Sequence, residues 1–369
     1  MFNILIICGT RPEIIKLAPV YLYLQSQPWA NVSWLHTGQH DEMSQKILAC
    51  FEITPDITLK REGTNLSDFS IGLRRQLDQV LESTKFDMTI VQGDTESAFV
   101  GALSSFYQRI PIAHVEAGLR TYDLDRPFPE EGLRQMITRI TSLNFAPTVG
   151  AKNALTQEGI APDLIYLTGN TVIDAQQWII AHHHIKEKIT KGKQILVTMH
   201  RRENWGNEIE QACKAISQLA LTHDDLEFLF PVHLNPAVKD QVYPILGSLK
   251  NVKLTAPLDY LEMQQSIADS WLILTDSGGI QEEAPTFGIP VLVLRKETER
   301  PEAVNAGCAK IIGTHQSAIV DAVEILLKDP LAYSAMQAKQ NPFGDGHASE
   351  RISQSIHSYL LRKKGQQKI

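Results

Sequence analysis

The chain has 369 residues, 43% of them hydrophobic and 21% charged, and a formal net charge of −7. That length accommodates two ordinary domains, and an acidic balance without any long Lys/Arg run excludes nucleic acid or an anionic membrane surface as the main partner. No stretch approaches the roughly 20 apolar residues of a membrane helix, and Cys8, Cys50, Cys213 and Cys308 lack the paired spacing of a zinc site or a disulfide framework, which fits a reducing cytoplasm.

Met1 to Cys8 is apolar but short and runs straight into a turn, so it reads as a first strand rather than a leader. Further short β-rich runs follow at Val32–Thr37, Met88–Gln92, Ile112–Val115 and Leu164–Thr168, each succeeded by a longer helical pattern. The second half repeats the habit at Ile195–Thr198, Glu227–Val232, Val252–Thr255, Trp271–Thr275 and Val291–Leu294. Alternation of this kind means βαβ units, and the expected fold class is α/β: two Rossmann-like, doubly wound domains, each with a parallel sheet. The expected boundaries are 1–169 and 170–346, with a C-terminal helix over about 347–369 returning to the first domain.

In such sheets ligands bind beyond the carboxyl ends of the strands, and almost every unusual motif falls there. Gly9-Thr10-Arg11-Pro12-Glu13 follows the first strand, Gly93-Asp94-Thr95 the third, Glu116-Ala117-Gly118 the fourth, and His200-Arg201-Arg202-Glu203 the first strand of the second half. Asp276-Ser277-Gly278-Gly279 repeats the pattern, so both halves are expected to turn polar groups toward an interdomain cleft.

Each motif also has a plainer reading. Ser277-Gly278-Gly279, ahead of a helix expected to start near Ile280, can receive a diphosphate on backbone N–H groups, with Glu283 reaching ribose hydroxyls, or can be a simple strand-to-helix turn. The first loop has one glycine and neither a dinucleotide nor a P-loop fingerprint, so NAD is not indicated. Arg11 and Lys16 instead offer side-chain charge to an anion, or solvate a helix start. Asp94, Glu116 and Glu130 can divide acid and base roles, bind a metal or cap helices. His200 can serve a phosphate in either charge state, and His233 is more simply structural. His182-His183-His184 does not share a helix face, which argues against zinc.

Taken together, Gly9–Lys16, Thr37–His40, Gln92–Thr95, His114–Thr121, Pro127–Arg134, Thr168–Asp174, His200–Glu203, Pro231–Pro236, Leu274–Pro285 and Glu299–Gly307 resemble the non-hydrolysing UDP-N-acetylglucosamine 2-epimerases over nearly the whole chain. The resemblance implies a glycosyltransferase GT-B-like fold and interconversion of UDP-GlcNAc and UDP-ManNAc. It implies that Arg11, Lys16, His200, Ser277, Gly278, Gly279, Glu283 and Arg300 hold UDP, with Asp94, Glu116 and Glu130 around the sugar and His200 counted with the catalytic set. It further implies a homodimer, no cofactor and no metal.

Two stretches depart from the family pattern. Leu258-Asp259-Tyr260-Leu261-Glu262-Met263 stands where relatives often have Gln-Glu-Tyr-Leu-Pro-Phe near the uracil, so Met263 offers a thioether in place of an aromatic contact. Some bacterial members bind a second UDP-GlcNAc as activator through a Gln-His pair matched by Gln39-His40, but Glu42 and Arg61-Glu62-Gly63 differ from the usual arrangement. Inverting C2 is difficult because no carbonyl activates its proton, so the resemblance implies elimination of UDP to 2-acetamidoglucal and re-addition. The rival readings are a hydrolysing epimerase releasing N-acetylmannosamine and UDP, a glycosyltransferase on the same scaffold, and a non-catalytic nucleotide-sugar-binding regulator.

Overall fold

A computed structural model describes residues 1–39, 41–186, 193–200 and 206–366, with the backbone alone for 41–43. The chain divides into two compact units, Met1–Trp178 with the chain from Gly344 onward, and Ile179–Phe343.

In the first unit the strands are β1 (Phe2–Cys8), β2 (Ala30–His36), β3 (Ile57–Thr58), β4 (Met88–Gln92), β5 (Ile112–Val115), β6 (Leu143–Ala146) and β7 (Ile165–Leu167). They form one sheet in the order β3-β2-β1-β4-β5-β6-β7, and each pair is parallel. The second unit holds β8 (Lys193–Thr198), β9 (Leu226–Pro231), β10 (Val252–Thr255), β11 (Leu272–Thr275), β12 (Val291–Val293) and β13 (Ala309–Ile311) in the order β10-β9-β8-β11-β12-β13, again parallel throughout. The α/β class with two doubly wound parallel sheets is therefore what the molecule has.

Both faces of each sheet carry helices, which explains why the central strands are apolar runs rather than alternating ones. Ile4, Leu5, Ile6 and Ile7 of β1 are all fully buried. Strands β3, β6 and β13 were not anticipated. The first and last are two- and three-residue edge strands, and β6 reads Leu-Asn-Phe-Ala, with the buried amide of Asn144 interrupting its apolar pattern.

The C-terminal helix Ala348–Gln366 belongs to the first unit. Asp174 accepts its first free N–H groups, from Ala348 at 3.2 Å and Ser349 at 2.7 Å. Ile352 and Ile356 are buried, and His357 stacks on Trp29 with ring centroids 4.3 Å apart.

The order of each sheet reverses at one place, between β1 and β4 in the first unit and between β8 and β11 in the second. At such a switch point the two flanking loops diverge to opposite faces and leave a crevice beyond the strand ends. The segments that follow β1, β4, β8 and β11 lead to Arg11, Asp94, His200 and Ser277 respectively.

Candidate active site

In the first unit, Thr10 caps the helix Arg11–Gln25, whose first residues are Arg11 and Pro12. Arg11 thus opens the helix rather than lying on the loop. Glu13 closes a capping box and is fully buried: its carboxylate accepts the N–H groups of Gly9 at 3.0 Å and Thr10 at 2.7 Å and the hydroxyl of Thr95 at 2.6 Å. The loops after β1 and β4 are thereby tied together. Burial pushes the Glu13 carboxyl above its ordinary range, against the hydrogen bonds from Thr95, Gly9 and Thr10 that pull the other way. Gly9 is required by packing, since a Cβ there would lie 1.8 Å from the Thr37 hydroxyl oxygen.

Lys16, one turn further along, donates to Glu116, and Gln92 at the end of β4 donates to the other oxygen of the same carboxylate. Glu116 sits just past β5 with φ +63°, a left-handed conformation that costs a residue with a Cβ on the order of 1–3 kcal/mol and tends to mark sites where function fixes the geometry. Its side chain is only 7% exposed. A Cβ at Gly93, which precedes Asp94, would come 3.7 Å from the Glu116 carboxylate.

Asp94 accepts a hydrogen bond from Arg134 of the helix Glu130–Ile140. Glu130 is the first residue of that helix, half-buried, with no hydrogen-bond or ion-pair partner among the described residues. The structure therefore joins Lys16 to Glu116 directly and brings Gly93-Asp94 alongside, while Arg11 and Glu130 border the same loops without a contact to either carboxylate.

His114, on β5, is fully buried. Its Nε2 lies 2.7 Å from the carbonyl oxygen of Gly93, so Nε2 carries the proton and donates. Burial drives its pKa down to about 4, with the Arg120 and Arg134 charges acting in the same direction and the Gly93 bond opposing. The unfolded chain takes up a proton near pH 6.5 and the folded one near 4, so stability is full above about pH 6.5 and falls as pH drops through that window. By pH 5 the loss from this group is about 2 kcal/mol. His114→Gln should flatten the difference between urea unfolding midpoints at pH 7 and pH 5; an equally steep decline in the variant would remove His114 as its source.

In the second unit, His200 follows β8, and its N–H is shared by the two carboxylate oxygens of the buried Asp276 at 3.0 and 3.1 Å. The β8 and β11 ends are also joined through their threonines, with the hydroxyl oxygens of Thr198 and Thr275 2.6 Å apart. The Thr275 hydroxyl oxygen accepts the Ser277 N–H at 2.9 Å, so that N–H is already committed.

The helix spans Gly278–Glu283, two residues earlier than expected, which places Gly278 and Gly279 in its first turn, where N–H groups have no intrahelical acceptor. Neither glycine is demanded by protein packing: a Cβ at Gly278 would stand 3.6 Å from the Arg300 guanidinium carbon and one at Gly279 3.9 Å from the Ser277 hydroxyl oxygen. Glu283 ends the helix and is buried.

Arg300 donates through Nε to Glu282 and through a terminal nitrogen to the Glu299 carbonyl at 3.1 Å. The chain Ser277–Gln281–Thr298–Arg300 is continuous: Gln281 donates to the Ser277 carbonyl at 3.1 Å, Thr298 to Gln281 at 2.7 Å, and the Arg300 N–H to Thr298 at 3.1 Å. Met263 is half-buried in the helix Tyr260–Ala268, which begins with a capping box between Asp259 and Glu262. The Glu262 that departs from the family pattern thus has a local role. His233 accepts the Asn235 N–H at 3.1 Å.

Gln39 accepts a hydrogen bond from Ser97 at 2.6 Å. His40, Arg201, Arg202 and Glu203 lie outside the described residues, as does the side chain of Glu42. Glu13, Gln92, Glu131, Arg134, Asp276 and Glu282 were not singled out from the sequence. Each stood within or next to a quoted motif, but their partners are remote in sequence. Among the described residues no group of three or more His, Cys, Asp or Glu side chains is arranged to hold a metal ion, and no helix is long and apolar enough to cross a membrane.

Two Rossmann-like units, each with charged residues gathered at its own switch point, define a ligand-binding α/β protein. The family model for UDP-N-acetylglucosamine 2-epimerase matches residues 23–357. The UDP-N-acetylglucosamine 2-epimerase of Escherichia coli (strain K12) is 42% identical over 368 residues, covering 96% of this chain and 98% of that protein. The UDP-GlcNAc 2-epimerase of Neisseria meningitidis, solved bound to UDP-GlcNAc, superposes with a TM-score of 0.87 at 40% identity, covering 96% of this chain and all of that one. The S. aureus MnaA structure with UDP gives a TM-score of 0.87 at 43% identity, covering 98% and 97%. The chain belongs to the UDP-N-acetylglucosamine 2-epimerase family.

Proposed function

We propose that the chain interconverts UDP-GlcNAc and UDP-ManNAc at C2 without releasing free sugar, the second unit holding UDP and the first acting on the sugar. The observation that carries this reading is the pairing of Glu116 with Lys16 beside the Gly93-Asp94 turn: two carboxylates, each with its own cationic partner, at the ends of adjacent strands. In the elimination step a carboxylate takes the C2 proton, the C2–H electron pair becomes the C1=C2 double bond, and UDP leaves with the C1–O pair. In the return step a proton is delivered to the opposite face of C2 and the β-phosphate oxygen bonds again to C1.

Removal of an unactivated proton requires that charge on the departing diphosphate be neutralised as it forms. Arg11, Lys16, His200 and Arg300 supply cationic or hydrogen-bonding groups for this, and the two glycines that packing does not require leave room for phosphate against the helix start. Glu283 takes the ribose and Met263 the uracil. Asp94, Glu116 and Glu130 divide the proton transfers. Gln39 with His40 is the candidate activator contact. Anion-exchange separation of products tests the outcome: UDP-ManNAc accumulating to a fixed ratio supports the reading, whereas free N-acetylmannosamine with stoichiometric UDP would replace it with the hydrolysing reaction.

The enzyme is proposed to act in the cytoplasm, supplying N-acetylmannosamine units for a surface polysaccharide, and to be a homodimer. A groove of about 540 Å³ on the first unit, lined by Ile71, Arg74, Phe99 and Leu103, supports the dimer, as do Phe106 and Tyr107 beside it, 51% and 64% exposed. Ile71→Glu should shift sedimentation from dimer to monomer; an unchanged dimer would place the interface elsewhere.

A further inference from the structure

We infer that Glu131 and Arg134 are a positioning pair that sets the placement of Asp94 and of the chain at Thr121-Tyr122 for the reaction, an inference that rests on the proposed part of Asp94 in the chemistry. The two lie one turn apart on the helix Glu130–Ile140, so their side chains rise from the same face. Arg134 extends one terminal nitrogen to Asp94, on the loop after β4, and its other terminal nitrogen lies 3.3 Å from Glu131. A planar guanidinium engaged at two points fixes both direction and distance, which a flexible ammonium does not.

Glu131 is fully buried, and its carboxylate is saturated. Besides Arg134 it accepts the N–H groups of Thr121 at 3.0 Å and Tyr122 at 3.2 Å and the Gln135 amide at 2.7 Å. Burial alone would raise its pKa, but the Gln135 and Thr121 bonds and the Arg134 charge outweigh it and hold the carboxyl below the usual range. The backbone it grips is strained: Tyr122 has φ +60° and is 58% exposed. A tyrosine held left-handed in an exposed loop requires something to hold it there. The Glu131 carboxylate does so, and the same carboxylate aims Arg134 at Asp94.

Helix capping alone does not account for this arrangement. The Arg134 Nε is buried without a hydrogen-bond partner among the described residues, so the side chain is kept at a cost to folding that an apolar residue of similar length would avoid. One ion pair thereby links the loop after β4, the loop after β5 and the helix that begins with Glu130, all three of which carry a proposed catalytic carboxylate. A misplacement of about 1 Å at such a site is enough to cost on the order of 100-fold in rate.

The test uses the full-length protein. Because removing one partner alone leaves a buried charge, the main variant is the double substitution Glu131→Gln with Arg134→Met, accompanied by Arg134→Lys. The double variant is expected to stay folded, to lose about 100-fold in kcat with KM for UDP-GlcNAc changed only a few-fold, and to bind UDP as the parent does. Arg134→Lys should recover part of the rate. Amide hydrogen exchange over residues 119–123 should be faster in the double variant, a readout independent of turnover. A folded double variant with parental kcat, or one that loses UDP affinity instead of kcat, would overturn the positioning role. A parent that does not epimerise would overturn the functional reading, and unchanged exchange over 119–123 would overturn the grip on that loop whatever the activity.

Discussion

Glu116→Gln should abolish nearly all turnover while leaving UDP binding close to the parent's. The substitution keeps size but turns one acceptor oxygen into an amide donor, and it removes the charge that Lys16 and Gln92 converge upon and the capacity to carry a proton. Loss of a general acid or base costs typically 10²–10⁴-fold, and the upper end is expected here because no neighbouring carbonyl lowers the C2 proton's barrier. Asp94→Asn should behave similarly, with Arg134 still present to donate to the amide oxygen. The check is kcat for UDP-GlcNAc alongside calorimetric binding of UDP. Parental turnover in both variants would remove the two carboxylates from the chemical step.

The second large effect is expected at Arg300. Its guanidinium faces Glu282, whose side chain is only 2% exposed, while its backbone N–H ends the chain of hydrogen bonds that returns through Thr298 and Gln281 to the Ser277 turn. Arg300→Met takes the cation away from a buried carboxylate, a change that costs about 3–5 kcal/mol in comparable settings. It also removes a proposed diphosphate contact. Weaker UDP binding, by about 10- to 100-fold, and a lowered unfolding midpoint are expected together, since a charge-assisted contact contributes about 1.5–3 kcal/mol. Arg300→Lys should restore much of the stability and less of the affinity, because an ammonium cannot reproduce the two-point fork. Parental UDP affinity in Arg300→Met would assign the residue to structure alone.

The repeated strand-then-helix rhythm made the two parallel sheets readable, because buried parallel strands are written as short apolar runs such as Met88–Gln92 and Ile112–Val115, both of which form strands over that span. Strand β6 escaped because Asn144 breaks its run, and β3 because two residues at a sheet edge carry too little pattern to register. The strand-end rule points to the segments of Arg11, Asp94, Glu116, His200 and Ser277 from the sequence alone, since in this class of sheet the carboxyl ends are where ligands go.

What could not be read was the network beneath those loops. Glu13 meets Thr95, Lys16 meets Glu116 and Arg134 meets Asp94 across separations of 82, 100 and 40 residues. Such pairings are set by strand order, and strand order is not written locally. The start of the second-unit helix was misplaced by two residues for a related reason: glycine reads as a helix breaker, yet Gly278 and Gly279 occupy a first turn, where their poor helix propensity is tolerated.

The central claim is tested most directly by proton NMR of the purified protein with UDP-GlcNAc in deuterated water. Following the anomeric signals should reveal UDP-ManNAc growing to a constant ratio, deuterium entering C2 of both nucleotide sugars, and no free N-acetylmannosamine. UDP-ManNAc formed with its C2 proton fully retained, or free sugar as the only product, would contradict elimination and re-addition without release of the sugar.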